Sequence, residues 1–214
     1  MSRYRLSLVD GRYCLIDSFS PQKPLSLSFS SPKFLRRVKA ASKNTELLAR
    51  AVGTRQGLKV VDCTAGLGRE GFLLAYLGCD VTLIERSKVI YTLLLDALNW
   101  ASFDPDLKKV VDRLSLYRSD AKEYLSRHSS WDVIYIDPMF PDKKKTSLPK
   151  GDMQYLQRFL SKEKNDGSLL KSAFLCKFRR LVVKRPLKTR DKEIRKADRS
   201  IQNDKIRFDI YLGI

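Results

Sequence analysis

The sequence predicts an α/β fold: a largely parallel sheet with helices wound over both faces, preceded by a small β and helical extension. Three observations carry that expectation. Short apolar runs alternate with amphipathic helical tracts through most of the chain after residue 58. A glycine-punctuated turn, Asp62-Cys-Thr-Ala-Gly-Leu-Gly-Arg69, joins the first of these runs to a helix. A second strand, Asp80-Val-Thr-Leu-Ile-Glu85, then ends in an acid about 20 residues further on.

Residues 3–17 alternate around Asp10-Gly11, with Tyr4, Leu6 and Leu8 before the pair and Tyr13 and Leu15 after it, which predicts a hairpin. Beyond Pro21 and Pro24, Leu25, Leu27 and Phe29 alternate again and predict a third strand. Ser31-Pro32 supplies a cap and a first-turn proline for a helical tract from Lys33 to about Val52, ended by Gly53. Phe34, Leu35, Val38, Leu47, Leu48 and Ala51 form its apolar side. Arg36, Arg37, Lys39 and Lys43 make the other side basic, which suits a solvated face as well as a nucleic-acid contact. Residues 1–53 are therefore expected to form the extension and 54–214 the main domain.

Leu58, Val60 and Val61 begin the main sheet, and Phe72 to Leu77 resume a helical pattern after the glycine turn. Gly66 and Gly68 admit dihedrals closed to other residues and let a ligand approach the backbone, where the free N–H groups of a helix start also point. The spacing lacks the third glycine of the dinucleotide fingerprint, so the expectation is a nucleotide-type pocket without a specific place for pyrophosphate. Glu85 falls where such folds hold ribose hydroxyls, although an ordinary βαβ unit with a surface acid shows the same pattern.

Ser87 to Trp100 carries a broad apolar face and predicts a packed helix. Leu114 to Tyr117 is a third strand of the sheet, ending at Arg118-Ser119-Asp120, and Ala121 to Arg127 a short helix. Trp131 to Ile136 is nearly all apolar, as a central strand should be, and Trp131 and Tyr135 are assigned to the core. Gly151 to Leu160 and Ser168 to Phe178 predict helices, Arg180 to Lys184 a fifth strand ended by Arg185-Pro186, and Ile206 to Leu212 a last alternating strand. Basic residues crowd the stretch from Lys171 to Arg199, of which Lys188 to Arg199 also suits a disordered segment.

The chain sets 42 Lys and Arg against 24 Asp and Glu, a formal charge of +18, which favours a polyanionic partner, nucleic acid first. No run of about 18 apolar residues is present, so no membrane span is expected, and the first residues lack the apolar core of a secretory signal. Cys14, Cys63, Cys79 and Cys176 have no C-x-x-C spacing and His128 is the only histidine; no metal is expected. Scattered thiols suit a reducing cytoplasm. Cys63, within the glycine turn, reads as a small filler rather than a nucleophile.

The fourth strand runs into Asp137-Pro138-Met139-Phe140-Pro141, followed at once by Lys143, Lys144 and Lys145. An acid, a rigid turn, an aromatic and three cations are the parts needed to hold a flat, amine-bearing base near phosphate. When an exocyclic amine attacks an activated methyl group, its lone pair must be drawn out of the ring and aimed at the methyl carbon. The Asp137 carboxylate, with a backbone carbonyl held by Pro138, can accept the two N–H hydrogens and favour that geometry, while Phe140 stacks on the base. No separate base is required, and positioning alone contributes about 7 kcal/mol or more.

Asp62-Cys-Thr-Ala-Gly-Leu-Gly-Arg69, Glu85-Arg86, Asp137-Pro-Met-Phe-Pro141, Val182-Val-Lys-Arg-Pro186 and Arg207-Phe-Asp-Ile-Tyr211 together resemble the bacterial J-type methyltransferases of small-subunit ribosomal RNA, over nearly the whole chain. The resemblance implies a Rossmann-like class I fold with an antiparallel last strand, and transfer of methyl from S-adenosylmethionine to the N2 amine of one guanine in that RNA, naked or in an assembling subunit. It implies cofactor contacts at Arg69 and Glu70, Glu85 and Arg86, Ser119 and Asp120, and Asp137, beside the glycines. Glu70 stands where the family usually has Asp, and Lys39 to Thr45 lacks the glycine-rich run common in relatives. Plainer roles fit the same residues: ion pairing for Arg69 and Arg86, a helix cap for Ser119 and Asp120, packing for Met139. Two other functions share these features, an adenine or cytosine N-methyltransferase on DNA or another RNA, and a non-catalytic RNA-binding assembly factor.

Overall fold

In the computed structural model, residues 3–19, 23–128, 130–138, 167–187 and 194–213 are described. The chain runs β1 (Tyr4–Val9), β2 (Arg12–Asp17), α1 (Pro32–Ala40), α2 (Leu47–Val52), β3 (Lys59–Asp62), α3 (Arg69–Tyr76), β4 (Asp80–Glu85), α4 (Lys88–Ala101), α5 (Pro105–Val111), β5 (Leu114–Arg118), α6 (Ala121–Arg127), β6 (Ser130–Ile136), α7 (Ser168–Phe174), β7 (Lys177–Pro186), β8 (Arg199–Gln202) and β9 (Ile206–Leu212). The helix expected at 151–160 and the run Lys143–Lys145 lie outside the described residues.

The main sheet has seven strands in the order β5-β4-β3-β6-β7-β9-β8. β5, β4, β3, β6 and β7 are parallel; β9 pairs antiparallel with β7, and β8 antiparallel with β9. From β3 the chain winds outward to β4 and β5, then returns to place β6 on the other side. The direction of winding reverses between β3 and β6, and a crevice opens beyond their C-terminal ends.

Strands covered on both faces must be apolar on both. Val60 and Val61, Ile134 and Tyr135, and Leu181 and Val182 are each 0% exposed. Along each strand the residues alternate between two cores, as the pleat requires. Val60, Leu83, Tyr135 and Val182 face α1 to α5, while Val61, Ile84, Ile134 and Leu181 face α6 and α7.

Local chemistry sets the helix ends. Ser87 accepts a hydrogen bond from the Ile90 amide at the start of α4, and Asp120 accepts one from the Lys122 amide at the start of α6. Gly53 closes α2 in the left-handed conformation, φ +74, as expected of a glycine past a helix end. The β1–β2 hairpin turns on Asp10 at φ 50 and Gly11 at φ 73, the pair of positive dihedrals that Asp-Gly supplies.

Four expectations are corrected. The tract 33–52 is two helices: Ala41 is extended at φ −73, ψ 138, and Ser42 and Thr45 hydrogen-bond each other's backbone amides, offering the chain an alternative to the helix ladder. Leu25 makes an isolated bridge to Leu15 rather than opening a third strand; the alternation of Leu25, Leu27 and Phe29 instead marks side chains inserted into the main core. Ser31 occupies the N-cap position of α1 without a side-chain hydrogen bond. The helix expected to reach Phe178 stops at Phe174, because Lys177 and Phe178 pair with Ser130 and Trp131 as the start of β7. In addition, α5 and β8 were not predicted, although Asp104-Pro105 carries an N-cap and first-turn proline signal: Asp104 accepts from the Asp106 and Leu107 amides.

The extension is packed rather than appended. Phe29 stacks on Phe72 of α3 with ring centroids 4.4 Å apart, and Arg12 bonds Asp96 of α4 at 2.9 Å while lying over the Trp100 ring.

Candidate active site

Five strand ends converge on the crevice. β3 ends in Asp62, which is buried, and the chain turns sharply so that Thr64 donates its amide at 3.0 Å and its hydroxyl at 3.3 Å to one oxygen of that carboxylate. Burial pushes the Asp62 acid from its ordinary 3.8 up to about 7, with Glu70 and Asp137 adding to the rise and the Thr64 amide opposing it. Gly66 and Gly68 follow at φ +53 and +69, and a Cβ at Gly68 would come within 2.6 Å of Leu94. The turn therefore presents bare backbone and the first amides of α3 to the crevice.

Glu85, at the end of β4, braces this turn. One of its oxygens accepts the Gly66 amide at 3.0 Å and the other the Ser87 amide at 2.7 Å. Both carboxylate oxygens thus lie at the edge of the glycine turn. Ser119, beyond β5, donates its amide to the Glu85 carbonyl at 3.3 Å, and its hydroxyl bonds the Asp120 carbonyl at 3.1 Å. Asp120 caps α6 through one oxygen. The capping role is realised, and it is compatible with a ligand contact.

On the other side of the switch point, Asp137 follows β6. Its amide donates to the Thr64 hydroxyl at 2.7 Å, and one carboxylate oxygen accepts from the Lys184 ammonium of β7 at 2.6 Å. Burial holds the Asp137 acid above its ordinary range, opposed by Lys184 and reinforced by Glu70. Burial alone would lower the Lys184 ammonium, but Asp137 and Glu70 outweigh it and hold it raised. Glu70, in the first turn of α3, lies 3.9 Å from both Lys184 and Arg37 of α1.

Of the residues singled out by sequence, Gly66, Gly68, Glu85, Ser119, Asp120 and Asp137 all fall on this edge; Gly66, Glu85, Ser119 and Asp120 are linked by hydrogen bonds, and Glu70 approaches Asp137 through Lys184. Arg69 opens α3 and Arg86 follows β4 at the same edge. Phe140 lies outside the described residues. Cys63 and Tyr135 are buried, and burial pushes the Cys63 thiol well up, which suits a filler and not a nucleophile. Thr64 and Lys184 were missed. A threonine hydroxyl leaves no signal in one sequence; a lysine directly after the apolar run Leu181-Val-Val183 does, since a central strand has no reason to bury a charge there.

Reversal of the winding at β3, with a glycine turn beneath it, defines a nucleotide-binding type of α/β fold, and the family model for SAM-dependent methyltransferases matches residues 2–213. A solved SAM-dependent methyltransferase of Neisseria gonorrhoeae shares the fold with a TM-score of 0.73 and 28% identity, over 94% of this chain and 79% of that one. Two curated relatives narrow the class. Ribosomal RNA small subunit methyltransferase J of Dechloromonas aromatica is 38% identical over 195 residues, 88% of this chain and 78% of its own. That of Psychromonas ingrahamii is 37% identical over 213 residues, 98% of this chain and 84% of its own. The chain belongs to this J-type family of S-adenosylmethionine-dependent methyltransferases. Among the described residues no helix is long and apolar enough to cross a membrane.

Proposed function

We propose that this chain methylates the exocyclic N2 of a guanine in small-subunit ribosomal RNA. The observation that carries the reading is Asp137. It sits at the C-terminal end of a central strand, its backbone fixed by Thr64 and its carboxylate by Lys184, and is followed by a proline. The relatives' names supply the RNA, and the formal charge of +18 suits a polyanion.

S-adenosylmethionine, when bound, supplies a methyl group on a positively charged sulfur. Gly66, Gly68 and the start of α3 offer the backbone it would lie against, Glu85 accepts its ribose hydroxyls, and Arg69, Glu70, Arg86, Ser119, Asp120 and Asp137 complete the contacts. The fit rests on two features: the Glu85 carboxylate held against the glycine turn and the absence of side chains at both glycines. On the acceptor side, Asp137 and the Pro138 carbonyl receive the N–H hydrogens of the guanine amine, which draws its lone pair out of the ring. The proton lost from nitrogen after methyl transfer leaves through the acceptor that already holds it. Phe140 stacks on the base.

The deciding experiment is transfer of labelled methyl from S-adenosylmethionine to small-subunit ribosomal RNA, naked and in subunits, followed by nucleoside analysis. The expected product is N2-methylguanosine. Label in adenosine or cytidine would replace the guanine assignment, and tight RNA binding without label on either substrate would make the chain a non-catalytic assembly factor.

A further inference from the structure

The charges beside Asp137 form an alternating chain that starts in the extension: Arg37 is 3.9 Å from Glu70, Glu70 3.9 Å from Lys184, and Lys184 2.6 Å from Asp137. Lys184 rises from a strand whose preceding residues Leu181, Val182 and Val183 are buried, and its own side chain is only 22% exposed. An ammonium that has lost most of its water must have its charge answered. Here it is answered by the acid that the proposed chemistry uses, while Thr64 grips the backbone of the same residue from the loop after β3. Among the described residues, the second Asp137 oxygen has no partner.

We propose that Lys184 is a positioning residue for the methyl acceptor, acting through Asp137: its ammonium occupies one carboxylate oxygen and keeps the group anionic, so that the other oxygen receives an N–H of the incoming amine. The inference rests on the Asp137 role proposed above. A protonated acid presents an O–H where an acceptor is needed, and an amine whose hydrogens find no acceptor keeps its lone pair in the ring. The groups that face Asp137 are Lys184 from β7, Glu70 from α3, Asp62 from β3 and the buried Tyr135 hydroxyl from β6, with Arg37 of α1 beyond Lys184. Of these only Lys184 touches the carboxylate with a positive charge. Burial and Glu70 already raise the Asp137 acid and Lys184 opposes them, so loss of the ammonium raises it further.

The test is the pH profile of kcat and KM for methyl transfer by the full chain and its Lys184→Met and Lys184→Arg variants. Lys184→Met is expected to move the acid limb of kcat upward by about one pH unit, a loss of about tenfold on that limb that shrinks in alkaline solution. Lys184→Arg, which keeps the charge, is expected to restore the limb. The displacement should persist in an Asp62→Asn background, where the neighbouring acid no longer titrates. A loss equal at all pH values, a loss confined to KM for RNA, or a displacement that vanishes with Asp62→Asn overturns the proposal. Lys184→Gln reads the same limb if the Met variant does not fold. Asp137→Ala in the same assay separates the two levels: full activity would remove the acceptor role itself, whereas an inactive Asp137→Ala beside an unmoved Lys184→Met limb removes only the role of Lys184.

Discussion

The crevice has two halves, and they are held in different ways. On the side of β3 and β4, backbone amides are tied to carboxylates: Gly66 and Ser87 to Glu85, Thr64 to Asp62. On the side of β6 and β7, one side chain is tied to another, Asp137 to Lys184. The first arrangement fixes a surface and leaves it bare for a ligand common to many substrates. The second fixes one carboxylate oxygen against an ammonium. The β3 and β4 side is held through backbone amides, which do not titrate, whereas the charge of Asp137 depends on one neighbouring cation.

Three variants press on that contrast. Removal of the acceptor acid has the largest expected effect: Asp137→Ala should lower single-turnover methyl transfer at least about 100-fold, with RNA affinity by filter binding unchanged. Equal losses in both would mean that Asp137 holds RNA and not the amine. Gly68→Ala attacks the bare backbone instead. With φ at +69 and the new Cβ 2.6 Å from Leu94, it should cost about 1–3 kcal/mol, seen as a lower melting temperature and weaker binding of S-adenosylhomocysteine, while the pH profile of the residual activity stays in place. An unaltered affinity would show that the turn does not meet the cofactor.

The smallest effect concerns Asp62, whose acid titrates at about 7 in place of 3.8. The folded state binds this proton more tightly than the unfolded chain does. Its contribution is therefore complete below about 3.8 and is lost as pH rises through about 7. Asp62→Asn keeps an oxygen for Thr64 and carries no charge, so it should gain on the order of 1 kcal/mol over the parent between pH 5 and pH 8, measured by urea unfolding at both values. A constant difference between parent and variant would show that Asp62 does not titrate in that window.

What could be seen in the sequence follows the same division. Strand, glycine turn and helix were legible from residues 58–77 because each signal lies within a few positions of the next, and the places of Glu85 and Asp120 were legible because each acid ends a strand pattern or precedes a helical one. Asp137 stood out through its prolines. Its partners did not: Lys184 is 47 residues away and Thr64 is 73 residues away, and nothing in a single sequence states which distant side chains a sheet brings together. The break between α1 and α2 was hidden for a different reason. Ala41 to Glu46 carries no proline or glycine, and the helix yields there to hydrogen bonds between Ser42 and Thr45, which compete with a helix only by a small margin. β8 was obscured by its basic surroundings and is defined by pairing with β9.

The stacking of Phe29 on Phe72 and the bond from Arg12 to Asp96, 84 residues apart, bear on how the chain is made. β1 and β2 precede α3 and α4 in the chain and are made before them, yet Leu15, Leu27 and Phe29 share one core with those helices. Closing so long a loop is slow compared with forming a local turn. The hairpin can form from local contacts alone, but its apolar side stays exposed until the chain has been made as far as α4.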